Sequence, residues 1–169
     1  WCLKVMAMDH DKIGRNDHLG TVELDIGPVT RWKRNCDKEV YALRDREGNV
    51  SSNALKGREG LEFPWGRVEL AMSFVPLSHI TPAGPGLLTV TLIRGSNLLA
   101  ADRNGTSDPF VLFTLGTTPA QRSRVVKKTV DPVWNSKQDD FLWSVTSEQV
   151  CTDWSLNVHV FDHDTMGSN

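Results

Sequence analysis

Cysteine is scarce in this sequence, and the few cysteines do not form a recognised spacing. Cys2, Cys36 and Cys151 are an odd number, and no two of them are separated by only two residues. A disulfide-bonded domain usually has an even set of cysteines, and zinc sites usually contain closely spaced pairs. The sequence therefore argues against a disulfide or zinc framework and predicts a reduced, intracellular protein.

An excess of positive charge and long apolar runs are also missing. The 169 residues include 19 basic and 21 acidic side chains, a formal net charge of −2, so no global positive field favours nucleic acid as a partner. No apolar run reaches the roughly 18 residues of a membrane-spanning helix, and no signal-peptide or lipidation pattern occurs. A local basic patch or a bound cation would have to provide any attraction to an anionic surface.

Catalytic motifs are absent as well. The sequence contains no G-x-S-x-G, H-E-x-x-H or P-loop pattern. His10 and His163 lie in two Asp-His-Asp triplets, but histidines in acidic loops are more often exposed turn residues than acid–base groups. We therefore predict that the chain is not an enzyme.

Sustained helical periodicity is missing, and short alternating segments are present instead. Residues 66–76 are the clearest example, because Val68, Leu70, Met72 and Phe74 alternate with mostly polar or small residues. Residues 45–60 are polar and contain several glycines, which predicts a long mobile loop. Many short strands separated by turn residues predict an all-β sandwich. The predicted strands are residues 20–26, 39–43, 66–76, 87–94, 109–115, 121–128 and 141–145, followed by a last strand before Asp162.

One stretch of the sequence occurs twice. The N-terminal copy is residues 1–17 and the C-terminal copy is residues 154–169, which stops one residue short of the position equivalent to Asp17. They align without a gap, and both contain Trp, Leu, Val, Asp-His-Asp, Gly and Asn at the same positions. Each copy begins as an alternating apolar strand and continues into an acidic loop that contains glycine. The duplication predicts one repeat's worth of fold, entered in the middle of a repeat.

Two acidic loops contain side chains that suit calcium. Asp102 and Asp108 belong to one loop, and Asp9, Asp11 and Asp17 to the other. Calcium takes about six to eight oxygen ligands and is often bound by carboxylates on loops, and five carboxylates at one end of a sandwich would repel one another without a cation. Asp, Asn and Gly are also ordinary turn residues, so for either loop alone both interpretations stay open.

A basic stretch at residues 121–128 also has two interpretations. Its cationic side chains could form an anion-binding surface, or they could protect a solvated edge strand from pairing with other chains. The cations are Arg122, Arg124, Lys127 and Lys128.

Three linked motifs resemble C2 domains. Residues 98–111 resemble the first calcium loop of that family, and residues 128–135 resemble its K-T-x-x-P-x-W-N signature. Residues 5–20 resemble the third calcium loop and the strand that leaves it. The finer resemblance is to the multi-C2 proteins of the tricalbin and extended-synaptotagmin type. The resemblance implies an eight-stranded antiparallel sandwich with a calcium cup at one end.

The resemblance also implies roles for individual residues. The carboxylate ligands of Ca²⁺ would be Asp9, Asp11, Asp17, Asp102 and Asp108. Asp162 and Asp164 are a possible second-copy pair, one acid short, and the C-terminal copy is therefore expected to be the displaced one. The residues expected to face the membrane or its lipids are Lys12, Ile13, Arg103, Arg122, Arg124, Lys127 and Lys128.

The order of the loops predicts an unusual domain organisation, because the third loop precedes the first. We predict that residues 1–76 are the C-terminal half of one C2 domain, 77–86 a linker, and 87–169 the N-terminal half of the next. Together they would form one composite C2 fold, circularly permuted within one chain or completed by strands exchanged in a homodimer.

The function that the resemblance implies is calcium-dependent binding to anionic phospholipid membranes. The lipid would be phosphatidylserine, with phosphoinositides as a second candidate. Such a module would target or tether a larger protein, itself free to be membrane-anchored, to membranes in lipid transport or trafficking, and would be cytoplasmic and peripheral on the membrane. The alternative is a calcium-independent protein-interaction or scaffold C2 domain that uses the basic stretch and the loop at 44–60.

Overall fold

The computed structural model describes residues 16–27, 35–49, 61–77, 85–134, 137–146 and 155–164. These segments contain eight strands, and the short 3₁₀ helix Lys137–Asp139 precedes the seventh of them. The strands are β1 (His18–Asp25), β2 (Asn35–Ala42), β3 (Arg67–Pro76), β4 (Gly86–Ser96), β5 (Pro109–Leu115), β6 (Gln121–Arg122), β7 (Asp140–Val145) and β8 (Ser155–Asp162).

The strands form two four-stranded sheets. One sheet has the order β1-β8-β5-β6 and the other the order β2-β3-β4-β7. Neighbouring strands in both sheets run antiparallel. This arrangement confirms the predicted all-β, eight-stranded antiparallel sandwich.

Alternation of apolar residues forms the core between the sheets. In β3 the inward-facing side chains Val68 and Leu70 have no exposed surface, and in β8 the same holds for Leu156, Val158 and Val160. Successive side chains of a strand point to opposite faces, so one face of each strand packs against the other sheet. Aromatic side chains complete this core, with Phe113 and Phe141 packed at a ring-centroid distance of 4.6 Å.

Most predicted strands agree with the observed ones to within two residues at each end, but two differ more. The strand predicted at 39–43 begins earlier, at Asn35. Residues 121–128 were predicted to be one basic strand, but only Gln121–Arg122 pairs regularly with β5. Beyond them the side chain of Ser123 takes over, because its hydroxyl accepts the hydrogen bond from the Val111 N–H at 2.9 Å. The regular ladder ends there, although the N–H groups of Ser123 and Val126 still donate to the Val111 and Pro109 carbonyls of β5. Residues 128–130 then contact the loop between β4 and β5.

The expectation that the C-terminal copy is displaced is wrong. Its strand is β8, which lies between β1 and β5 and pairs with both along its length. The N-terminal copy up to residue 15 lies outside the described residues, as do residues 50–60 of the predicted loop and most of the predicted linker. The division into two half-domains and a linker stays a prediction.

Three chain segments meet at one end of the sandwich. The loop between β4 and β5, residues 97–108, is called loop 1 below, and it leads into Pro109. In the register of the first sheet, Pro109 at the start of β5 faces Asp162 at the end of β8, and His18 at the start of β1 faces Phe161. The sheet therefore brings loop 1, the end of β8 and the residues before β1 to the same place.

Candidate metal centre

Three carboxylates from two of these segments converge. Asp102 comes from loop 1, while Asp162 ends β8 and Asp164 follows it. One carboxylate oxygen of each lies within 4.8 Å of the others. Like charges at this separation repel strongly, so the cluster favours either protonation or a bound cation.

Asp162 is the most deeply placed member of the cluster. Only 2% of its surface is exposed. Its Oδ1 accepts a hydrogen bond from the Asp108 N–H at 2.5 Å, whereas its Oδ2 is buried with no hydrogen-bond partner among the described residues. A buried carboxylate oxygen without a partner is costly unless a proton or cation satisfies it.

The pKa values of two of these acids show the same crowding. Burial raises the pKa of Asp162, and the charges of Asp102, Asp164 and Asp108 raise it further, against the hydrogen bond from Asp108. The pKa of Asp164 is also raised by burial and by neighbouring acids, Asp17 among them. Both groups are therefore held less favourably as anions than they would be in water.

Two further acids are held beside the cluster by main-chain hydrogen bonds. Asp108 accepts a hydrogen bond on Oδ1 from the Lys128 N–H at 2.7 Å, and its carbonyl accepts one from the His163 N–H at 3.0 Å. The carbonyl of Asp17 accepts from the Asp162 N–H at 2.7 Å. Main-chain groups thus position these residues. The hydrogen bond from Lys128 uses Oδ1 of Asp108 and does not involve its Oδ2.

Loop 1 is shaped by its own polar residues. The buried Ser107 hydroxyl donates to the Leu99 carbonyl at 2.8 Å and accepts from the Ala101 N–H at 2.9 Å. The Asp102 N–H donates to the Thr106 carbonyl at 3.0 Å, and Gly105 at the tip has φ of +80°, which favours glycine. These bonds fix the direction in which Asp102 points.

The structure brings together some of the acids that were predicted to bind calcium. Asp102 and Asp108 lie at one site with Asp17, and Asp162 and Asp164 complete it. Asp9 and Asp11, together with the predicted loop-tip residues Lys12 and Ile13, lie outside the described residues. The C-terminal copy is one acid short in the sequence, and the N-terminal copy was therefore expected to provide the ligands. The place of the C-terminal copy in the sheet depends on pairing with β1 and β5, which no local pattern reveals.

One feature of the site has no side-chain signal in the sequence. The main-chain N–H of Lys128 anchors Asp108, and Lys128 itself has φ of +55°. Thr129 donates its N–H to the Ser107 carbonyl at 2.8 Å, and the Leu98 N–H donates to the Val130 carbonyl at 2.9 Å. Residues 128–130 therefore support loop 1 from below through backbone atoms.

The basic residues of 121–128 differ in their contacts. Arg124 donates to the carbonyls of Val133 and Trp134, both at 2.9 Å, and lies 3.4 Å from the buried carboxylate of Asp139. The guanidinium carbon of Arg122 lies 3.9 Å from the centre of the Phe110 ring. Exposed positions are occupied by Lys127, Lys128 and, on loop 1, Arg103.

The donor set fits a hard cation. All the side-chain donors are carboxylate oxygens, the ligand type that calcium prefers. Asp162 also has a buried Oδ2 with no hydrogen-bond partner among the described residues, which a cation would satisfy. The cluster found among the described residues consists of three aspartates and no cysteine, so a soft metal is not favoured.

Comparison with known proteins identifies the family. The C2 domain model matches residues 2–40 and 86–169. The chain is 44% identical over 72 residues to "Multiple C2 and transmembrane domain-containing protein 1" of Rattus norvegicus. This alignment covers 41% of this chain and 7% of that protein. It is 33% identical over 114 residues to tricalbin-3 of Saccharomyces cerevisiae, covering 64% of the chain and 7% of that protein.

A third relative aligns along almost the whole chain. Synaptotagmin-3 of Rattus norvegicus is 33% identical over 172 aligned positions, which cover 99% of this chain and 25% of that protein. The chain thus spans a quarter or less of the length of these relatives. In the part of the chain that the structure describes, no helix is long and apolar enough to cross a membrane. No catalytic family is indicated, and the family match establishes that this chain belongs to the C2 domains.

Proposed function

We propose that this C2 domain binds anionic phospholipid membranes in a calcium-dependent manner. The observation that carries the proposal is the convergence of Asp102, Asp162 and Asp164 within 4.8 Å, with a buried oxygen of Asp162 that has no hydrogen-bond partner among the described residues. Asp17 and Asp108 lie beside this cluster. Asp9 and Asp11, which lie outside the described residues, are proposed to join the same ligand set.

The carboxylates would bind the cation, and the exposed basic side chains around loop 1 would contact the lipid. A bound Ca²⁺ would supply positive charge and coordination positions for the phosphate or carboxylate oxygens of phosphatidylserine. The exposed cations Arg103, Lys127 and Lys128 flank loop 1 and would add attraction of about 1 kcal/mol each near an anionic surface. Lys12 and Ile13 are proposed to reach the same surface.

Arg122 and Arg124 belong to the proposed lipid-binding surface, but their guanidinium groups already make contacts within the domain. The guanidinium of Arg124 already contacts two carbonyls and Asp139, and that of Arg122 stacks on Phe110. We therefore assign the larger share of lipid attraction to the exposed lysines and give phosphatidylserine preference over phosphoinositides. A cytoplasmic location on the membrane surface, within a larger tethering or trafficking protein, is part of the same proposal.

The calcium step is tested first on the protein alone. Thermal unfolding in excess Ca²⁺ and in chelator should show a higher midpoint with Ca²⁺, because a ligand that binds only the folded state stabilises it. In the double variant Asp102→Asn and Asp162→Asn the difference should vanish. The matched control is Asp37→Asn, which changes an exposed acid on the edge strand of the other sheet and should keep the full shift.

The membrane step is tested with vesicles. Co-sedimentation with phosphatidylserine vesicles should require Ca²⁺ in the parent chain and in the Asp37→Asn control, and should be lost in the double variant. Docking that persists in chelator would contradict the proposal. A folded protein with neither a thermal shift nor calcium-dependent docking would favour the calcium-independent scaffold alternative.

A further inference from the structure

The tip of loop 1 contains an asparagine followed by a glycine, Asn104 and Gly105, and no other asparagine in the sequence precedes a glycine. Both residues are exposed. Glycine has no Cβ, so it leaves its own backbone nitrogen open to the side chain of the residue before it. At this pair, the side chain of one residue is therefore free to react with the backbone of the next.

The space around Gly105 permits such a reaction. Gly105 has φ of +80°, and a Cβ added there would meet no atom within 4 Å. Its N–H donates to the Asp102 carbonyl at 3.1 Å, near the long end of the usual range for such bonds. This hydrogen bond must open before the nitrogen reacts, and the open space beside Gly105 allows that movement.

The side-chain amide of Asn104 is turned toward the backbone that follows it. Its Oδ1 accepts hydrogen bonds from the Thr106 N–H at 2.9 Å and from the Thr106 hydroxyl at 2.7 Å. Since Gly105 lies between these two residues, the bonds fold the amide back toward the Gly105 peptide. Two donors on one carbonyl oxygen also stabilise the negative charge that develops there when a nucleophile attacks the amide carbon.

We propose that Asn104 is a modification site, at which the side-chain amide is lost without the help of an enzyme. The Gly105 nitrogen attacks Cγ of Asn104, a new C–N bond closes a cyclic imide, and the bond from Cγ to the amide nitrogen breaks. Ammonia leaves with the proton that the Gly105 nitrogen gives up. Water then opens the imide at either carbonyl, which leaves aspartate or isoaspartate at position 104 and adds one negative charge.

Asn97, at the start of the same loop, provides a comparison within the molecule. It is also exposed, but the residue that follows it is Leu98, which has no exposed surface. The Leu98 N–H donates to the Val130 carbonyl at 2.9 Å, so this nitrogen is held in the interior and carries a branched side chain beside it. The imide should therefore form at Asn104 and not at Asn97.

The modification would change the charge of loop 1 beside the metal centre. The Thr106 hydroxyl lies 2.7 Å from Oδ1 of Asn104 and 3.4 Å from Oδ2 of Asp102, so position 104 is next to an acid of the cluster. The exposed Arg103 directly precedes it. A carboxylate at 104 would offset the charge of Arg103 on the surface proposed to contact lipid. This consequence, unlike the modification itself, rests on the proposed function.

The modification is tested on the whole folded chain in chelator and without lipid. After several days in mildly alkaline buffer, proteolytic peptides are analysed by mass spectrometry, and isoaspartate is detected by enzymatic carboxyl methylation. Conversion at Asn104 should exceed that at Asn97 by about tenfold or more, because glycine leaves the attacking nitrogen unobstructed. The ammonia released should match the converted fraction.

The matched variant is Gly105→Ala, which adds one methyl group beside the attacking nitrogen in open space. Conversion at Asn104 should fall by about tenfold or more, while thermal unfolding shows that the variant is folded. Conversion at Asn104 no faster than at Asn97 in the parent chain would overturn the proposal. An equal rate at Asn104 in the parent chain and in folded Gly105→Ala would overturn it as well.

The consequence for lipid binding is tested with two further variants. Asn104→Asp carries the charge of the product, whereas Asn104→Gln keeps a neutral amide. Binding to phosphatidylserine vesicles in Ca²⁺ should be about fivefold weaker in Asn104→Asp than in Asn104→Gln, and equal binding would overturn this consequence. A parent chain that does not dock at all would refute the proposed function and leave the mass measurement unaffected, so the two failures are distinguishable.

Discussion

Single residues carry the chemistry of this domain, and Asp162 illustrates how. It belongs to the apolar alternation of β8 by position, yet it ends that strand as a buried acid. Its main chain is hydrogen-bonded to Asp17 and its Oδ1 to Asp108, while its Oδ2 is buried with no hydrogen-bond partner among the described residues. The charges of Asp102, Asp164 and Asp108 also act on this carboxyl group, so a cation bound here would relieve an unfavourable local charge.

Arg124 is expected to matter for stability. It joins residues 133–134 to the buried Asp139 through two carbonyl hydrogen bonds and one ion pair. Its side chain is 43% exposed, so solvent screens part of the ionic attraction. Arg124→Gln should lower the free energy of unfolding by about 2 kcal/mol, measured by urea denaturation. Arg103→Gln is the control at an exposed position, and an equal effect of the two substitutions would contradict this role.

Two histidines on the outer face of the first sheet predict a pH dependence. Burial lowers the pKa of His18 to about 4, with the charges of Arg46 and His159 adding to the effect and Asp45 opposing it. Burial, followed by Arg46, also lowers the pKa of His159. The unfolded chain therefore binds more protons than the folded one between about pH 6.5 and 4, and stability falls as the pH falls through that range.

The size and test of this effect follow from the exposure of the rings. Both are partly exposed, so we expect a loss of about 1–2 kcal/mol from pH 7.5 to 5. Denaturant unfolding in chelator at several pH values measures it. The raised pKa values of Asp162 and Asp164 act in the opposite direction at lower pH, so the measure is the difference between the parent chain and the variant His18→Gln with His159→Gln. A pH slope unchanged in that variant would contradict the assignment.

At the scale of elements, Gly66, directly before β3, lies close to the backbone at the end of β4. Its φ is +79°, and a Cβ added there would lie 2.5 Å from the Asn97 carbonyl oxygen. Gly66→Ala should therefore lower the free energy of unfolding by about 2–3 kcal/mol, from overpacking and from strain. Gly105 has nearly the same φ and open space around it. Gly105→Ala isolates the conformational cost, about 1 kcal/mol, and thermal denaturation compares the two; a cost at Gly66 no larger than at Gly105 would rule out the steric contribution.

Elements with a local pattern could be predicted, and those that depend on distant contacts could not. The strand at 109–115 was predicted with its observed bounds, and β3 within one residue, because period-two alternation is a property of the segment itself. Residues 123–128 continue a basic pattern, but Ser123 diverts the hydrogen bond of Val111. That contact crosses between strands and leaves no local trace.

At the scale of the whole molecule, charge is segregated although the net charge is only −2. Five acids meet at one end of the sandwich, Asp17, Asp102, Asp108, Asp162 and Asp164, and Lys127 and Lys128 follow β6, which runs antiparallel to β5 and returns toward that end. A cation in the acidic cluster would change the sign of the local field, since bound ions are often the largest charges in a site. This distribution of charge supports the proposed function, in which a bound cation controls binding to an anionic surface.

The exposed lysines test that view. Replacing Lys127 and Lys128 by glutamine should weaken binding to phosphatidylserine vesicles in Ca²⁺ by about tenfold to thirtyfold, at roughly 1 kcal/mol per lysine. The thermal shift caused by Ca²⁺ should not change, because Lys128 supports Asp108 through its main-chain N–H. Lys38→Gln, on the edge strand of the other sheet, is the control. Vesicle affinity equal to that of the parent chain would remove these lysines from the interface.

The sequence alone determined the sandwich class, most strands and the acids of loop 1, because alternation and turn residues act over a few neighbouring positions. It also contained the same strand pattern twice, and the place of the C-terminal copy was decided by the tertiary structure. Phe110 stacks on Phe161, and the Thr21 hydroxyl lies 2.8 Å from Nδ1 of His159, so residues far apart in the chain hold β8 in its sheet. The same pairing placed Asp162 and Asp164 in the acidic cluster, since a carboxylate has a defined position only when the strand that holds it has found its neighbours.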